Sequence, residues 1–126
     1  MTTSGSTSMV NTVPTVLSVG TPQGVQRGLV PLPYTVADDQ SDLVDVEVHY
    51  MLDAISGWKP ATPAQTSAPT QGLATSPTGK SYSFLWDAYS DLGPVTKPAV
   101  IVRGRARDAA GVSVARVTGS FAVDNR

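Results

Sequence analysis

The chain has 126 residues, a mass of 13.1 kDa, a formal net charge of -1 and only 15% charged residues. That is enough for one compact domain and too little charge for a general electrostatic grip on nucleic acid or an anionic membrane. The absence of cysteine and the single histidine exclude a disulfide scaffold, a thiolate metal site, a cysteine nucleophile and a multi-histidine metal cage. Val contributes 17 residues against 2 Ile and 8 Leu, and Thr and Ser add 14 and 13, a composition that favours pleated strands and turns over helix.

Residues 1–12 are rich in Ser, Thr and Gly without an apolar period and read as a flexible N-terminal arm ahead of one domain over 13–126. The opening residues lack the basic and long apolar regions of a secretory signal, and no later stretch has the length of a membrane span. Two origins stay open: a chain assembled in the cytoplasm where it was made, or a piece of a larger exported protein with a start codon added. Lack of cysteine leaves the redox compartment open.

Val13 to Val19 predicts a first strand, ended by the turn-forming run Gly20 to Gly24. In Leu29 to Val36 the apolar face is Val30, Leu32, Tyr34 and Val36. Pro31 and Pro33 delete two backbone donors on the same side, so one flank of this strand is only weakly paired. Val44 to Tyr50 alternates strictly, with Val44, Val46, Val48 and Tyr50 against Asp45, Glu47 and His49, the pattern of a half-buried antiparallel strand. Lys59 to Gly79 is a long Pro/Thr/Ser loop, of a length that tends to be functional or mobile and where contacts are expected. Lys80 to Trp86 places Tyr82, Phe84 and Trp86 on one face. Pro98 to Asp108 points Val100, Val102, Gly104 and Ala106 inward and Ile101, Arg103, Arg105 and Arg107 outward. Val112 to Val123 changes phase near Arg116, as a β-bulge requires. About seven strands without a helical period predict an all-β antiparallel sandwich.

The order D-D-x-S-D (Asp38 to Asp42), V-D-V-E-V-x-Y, a turn with Trp58, S-F-x-W-D (Ser83 to Asp87), D-L-G (Asp91 to Gly93), P-x-V-x-V-R-x-R-A-x-D (Pro98 to Asp108) and F-x-V-D-N (Phe121 to Asn125) resembles the immunoglobulin-like or fibronectin type III-like repeats of bacterial surface and extracellular proteins. The turn after the V-x-V-x-Y strand is similar to an Asp-box hairpin in Asp53 and Trp58, but Ala54 and Ile55 stand where that turn carries glycines. The start at Met1 and the stop just after the D-N motif imply a solo module, similar to the head-decoration or tail proteins of phage virions. The resemblance implies a non-enzymatic structural or adhesive role on a virion or cell surface, with protein partners in a capsid, tail or surface layer. The alternative it implies is a glycan- or calcium-dependent adhesion domain excised from a multidomain extracellular protein.

Arg103, Arg105 and Arg107 form a basic row that suits an acidic partner or phosphate. If the two charged strands are neighbours, Asp45 and Glu47 instead face the row as cross-strand ion pairs. No aromatic is interleaved with the arginines, which argues against nucleic acid. Asp38, Asp39 and Asp42, joined by Asp87, Asp108 or Asp124, offer the oxygen ligands of a calcium site, although their spacing matches no EF-hand. His49 sits mid-strand on the polar face without a Ser or Asp at a motif spacing, so no catalytic residue is assigned. Trp86 belongs to the apolar face, and Trp58 is the aromatic placed for ligand contact.

Overall fold

A computed structural model of the chain describes residues 12–126; the expected arm, apart from Thr12, lies outside the described residues. The elements are β1 (Thr15–Val19), β2 (Leu29–Ala37), β3 (Asp45–Met51), β4 (Lys59–Pro60), β5 (Lys80–Asp87), α1 (Ala88–Leu92), β6 (Thr96–Asp108), β7 (Gly111–Val112), β8 (Arg116–Val117) and β9 (Phe121–Asp124). The strand ladders are antiparallel and form two sheets, one ordered β1-β2-β5 and one ordered β4-β3-β6-β7, with β8 and β9 also paired to β6. The sheets share one apolar core in the manner of a β-sandwich.

That core is built by the alternation in the sequence. Val30, Leu32, Tyr34 and Val36 of β2, Phe84 and Trp86 of β5, Val46 and Tyr50 of β3, and Val100, Val102 and Ala106 of β6 are all buried. Trp86 is fully enclosed and stacks on Tyr50 across the two sheets, with ring centroids 5.0 Å apart. Gly104 is buried opposite Val48, and a side chain there would meet Val19 from the other sheet.

The two prolines of β2 act as the sequence requires. β2 pairs with β5 along its length, from Leu29↔Asp87 to Val36↔Lys80, whereas its ladder to β1 runs only from Ala37 to Tyr34. Beyond that point Pro33 contributes a carbonyl alone, which accepts from Gly20 N–H at 2.7 Å. The missing donors therefore face β1 and end its ladder.

The last run of the chain is broken into three short strands along one edge of β6 instead of one strand with a single bulge. The pairing moves by one residue between Val112 and Arg116, where the phase change lies, and again between Val117 and Phe121. At each break a buried hydroxyl replaces a backbone carbonyl in the ladder. Ala106 N–H donates to Ser113 Oγ at 2.9 Å, and Val102 N–H donates to Thr118 Oγ1 at 3.1 Å. The same residues return their own N–H groups to the Ala106 and Val102 carbonyls at 2.7 and 2.8 Å. The strand is interrupted without leaving the buried donors of β6 unpaired.

The 59–79 segment is not a free loop. Lys59 and Pro60 form β4 against Tyr50 and His49, and Ala61, Ala64, Leu73 and Thr75 are buried. A run without apolar period is anchored here by irregular hydrogen bonds. These include Ala64 N–H to the Leu85 carbonyl, Leu85 N–H to Ser67 Oγ, and a reciprocal pair between Val44 and Leu73. The helical turn α1 also escapes a periodicity reading because it has only five residues. Its start is fixed by Asp87, whose carboxylate accepts from Ser90 N–H and Oγ–H at 3.1 and 2.8 Å.

Candidate functional site

The outer face of the β3–β6 pair collects the charged residues that the sequence singles out. Register places Asp45 opposite Arg107, Glu47 opposite Arg105 and His49 opposite Arg103. Glu47 bridges two of the arginines, accepting from Arg105 Nε at 2.6 Å and Arg107 Nη2 at 2.7 Å. The hydrogen bond from Arg105 holds the Glu47 carboxyl below its ordinary pKa against a smaller opposing effect of burial, and the charges of Arg105 and Arg107 add to it. Asp45 does not join the ladder. Its carboxylate turns to the 59–79 segment and accepts from Gly72 N–H at 2.9 Å. A backbone donor brought in by that segment wins over the exposed guanidinium of Arg107.

Arg103 also departs from the ion-pair expectation. Its guanidinium lies over the Trp58 ring, 4.6 Å from the centroid, and its Nε donates to His49 Nδ1 at 3.4 Å. Burial, followed by the charges of Arg103 and Arg105, lowers the pKa of His49, which favours the neutral ring that can accept at Nδ1. Trp58 is positioned by the turn before it, where Asp53 Oδ1 accepts from Ser56 N–H at 2.7 Å and Gly57 adopts a positive φ of 72°. The Asp-box likeness thus reduces to an Asx-type turn, and one face of the indole is already covered by Arg103.

A second cluster lies at the end of the molecule where β2 and β6 finish. One carboxylate oxygen each from Asp38, Asp42 and Asp108 come within 4.8 Å of one another. Two of the three expected aspartates, Asp38 and Asp42, are thus brought together with Asp108, one of the residues expected to join them. Asp39 is exposed and outside the cluster, and Asp108, at the end of β6, takes its place. Asp87 is engaged as the cap of α1, and Asp124 faces Arg27 and Arg126 and accepts from Thr96 Oγ1. Burial is the main cause that raises the pKa of Asp108, and the adjacent Asp38 carboxyl adds to it.

No known family model matches the chain, and no curated protein resembles it significantly in sequence. Its function is therefore argued from its own geometry.

Two polar residues that sequence reasoning passed over organise the opposite end. Asp91 Oδ2 accepts from the buried Trp86 Nε1 at 2.7 Å and from Thr62 N–H at 2.8 Å, while Oδ1 accepts from Thr62 Oγ1 at 2.7 Å. Asn125, buried in the D-N motif, accepts from Gly28 N–H and donates to the carbonyls of Gly93 and Ala88. The signal available in the sequence was a polar residue close to the core tryptophan, since a buried indole N–H needs an acceptor.

Proposed function

We propose that this chain is a non-enzymatic immunoglobulin-like, fibronectin type III-like sandwich. It serves as a structural or adhesive module of a larger assembly, a virion head-decoration or tail protein or a surface-layer component. The strand order supports the fold. Three strands, β1-β2-β5, oppose β4-β3-β6 with the closing run on β6, and the chain crosses from one sheet to the other between β4 and β5. A structural role agrees with how the chemistry-bearing groups are spent: Glu47 is taken up by two arginines, and His49 and Trp58 by a third.

The observation that carries the docking half is a groove of about 580 Å³ between the start of β1 and the break after β7. It is lined by Val13, Pro14, Val112, Val114 and Arg116, and the three valines are 42%, 40% and 85% exposed. An open strand edge bordered by aliphatic side chains is suited to receive an extended segment. The groove lies where residues 1–11 join the fold, so the occupant proposed is the N-terminal arm of a neighbouring subunit. Glycan binding through Trp58 has less support, because Arg103 covers one face of the ring.

The test is sedimentation of the chain from its native source, with and without residues 1–11. The full chain is expected to run with a large particle, and the truncated one to run free with an unchanged melting temperature. Retention of the truncated chain in the particle would overturn the docking role of the arm.

A further inference from the structure

The acidic cluster at the β2–β6 end has a property that a solvated group of carboxylates lacks. Asp38 is 2% exposed. Its Oδ1 is used by the turn, accepting from Gln40 N–H at 2.8 Å and Asp42 N–H at 3.3 Å. Its Oδ2 is buried without a hydrogen-bond partner, and so is Oδ2 of Asp108, whose Oδ1 accepts from Ala110 N–H at 2.7 Å. When both are ionised the two carboxylates only accept hydrogen bonds and cannot satisfy each other; a proton kept on Asp108, whose pKa burial and the adjacent Asp38 raise, bridges them only by giving up one of the charges. Among the described residues no Lys, Arg or His nitrogen lies within 4.0 Å of any of the three carboxylates. Two buried oxygens without a donor, beside a third carboxylate and without a cation, are an unfavourable arrangement unless something positive sits between them.

We infer that Asp38, Asp42 and Asp108 hold a calcium ion that ties the β2–β3 turn to the end of β6. Calcium takes oxygen ligands at about 2.3–2.6 Å, so two ligands of one ion lie at most about 5 Å apart, and the spacing within 4.8 Å satisfies this for all three. Three hard carboxylate donors suit calcium, with water and main-chain oxygens able to complete its shell. The turn is set for the purpose by contacts of its own. Ser41 adopts a positive φ of 56°, and Thr75 Oγ1 donates to the Asp42 carbonyl at 2.6 Å, so Asp42 is held beside Asp38. The site stands independently of any docking by the arm.

The test is thermal unfolding of the full chain after chelation. It is run in about 10 mM calcium chloride, roughly a hundredfold above the about 10⁻⁴ M dissociation constants common in extracellular modules, and in magnesium or sodium chloride of equal ionic strength. Calcium is expected to raise the melting temperature by about 5 °C or more, and magnesium by much less. Asp42→Asn and Asp108→Asn should abolish the rise, while Asp39→Asn should keep it. Should either cluster variant fail to fold, calorimetric titration of the wild-type chain with calcium decides, with one site expected. Equal melting in calcium and chelator, no heat of binding, or a rise that survives in Asp42→Asn and Asp108→Asn would overturn the site.

Discussion

Thr118→Val tests whether the broken edge of β6 is held by hydroxyl acceptors. The substitution keeps the branched shape and removes the atom that accepts from Val102 N–H. Val102 is fully buried and Thr118 is 5% exposed, so water cannot readily replace the lost acceptor. An orphaned buried donor costs about 1–3 kcal/mol. Ser113→Ala removes the equivalent acceptor of Ala106 N–H and is expected to cost a similar amount, plus a small contribution from the bond that Ser113 Oγ donates to the Val114 carbonyl. Val102 and Ala106 are four residues apart on one strand, about 13 Å, so the two effects should add to about 2–6 kcal/mol in the double variant. Urea unfolding at constant m measures this as a lower midpoint. Amide exchange at Val102 and Ala106 should accelerate more than global destabilisation alone explains. Thr35→Val is the control, because the Thr35–Ser81 hydroxyl contact is exposed, and its effect should stay within about 0.5 kcal/mol. A Thr118→Val variant no less stable than this control would refute the reasoning.

Asp91→Ala should destabilise by about 2–4 kcal/mol, since it strips the acceptor from the buried Trp86 indole as well as from Thr62; an unchanged melting temperature and tryptophan emission would count against it. Glu47→Gln should cost about 0.5–1 kcal/mol near neutral pH, a modest figure because the carboxylate is a third exposed. The pKa of Glu47 is lowered on folding, so its contribution is present above the ordinary glutamate range and is lost as pH falls through the folded value. The acid limb of the stability curve should be shallower in the variant. Tyr34→Phe removes a buried hydroxyl without a partner and should be neutral or stabilising by up to about 1 kcal/mol. Burial, with Tyr82 adding, pushes the Tyr34 pKa up to about 12 from 10.0, so the wild type should lose stability as pH rises through that interval, and the variant less. A loss above about 1 kcal/mol at neutral pH would show that the hydroxyl is satisfied.

The elements legible in the sequence are those whose burial follows a strict period. In β3 the alternation of Val46 and Tyr50 with Glu47 and His49 is also the alternation of core and outer face, and β2, β5 and β6 follow the same logic. The Pro31–Pro33 pair implies that one flank of β2 pairs weakly, and the structure makes it the flank toward β1. What stayed hidden depends on contacts between residues distant in the chain. Asp45 has the same local pattern as Glu47, yet Gly72 claims its carboxylate. Asp39 and Asp108 are indistinguishable as ligands by composition, and only the strand ends decide that Asp108 meets Asp38 and Asp42. The anchoring of the 59–79 segment is not legible in the sequence because it uses single hydroxyls and isolated backbone pairs, which leave no period.

That segment also explains why docking is assigned to one flank and not the other. On β5 it supplies the Thr62 carbonyl to Asp87 N–H, Ala64 N–H to the Leu85 carbonyl, and Ser67 Oγ to Leu85 N–H. On β3 it supplies the Thr70 carbonyl to Val46 N–H, pairs Leu73 with Val44, and gives Ala61 N–H to the Val48 carbonyl. A single crossing thus occupies the outer edges of both sheets, so neither offers a row of free groups to another chain. The opposite flank has no such cover among the described residues. There β1 pairs with β2 alone and receives a single bond from Arg116 Nε to the Val16 carbonyl, while the run facing it is broken at Ser113 and Thr118. Exposed aliphatic side chains gather on this flank, where Val13 shares a groove with Val112 and Val114. The 59–79 crossing covers one side of the sandwich, whereas among the described residues the other side keeps strand edge and apolar surface exposed, and it is this asymmetry that favours the proposed docking there.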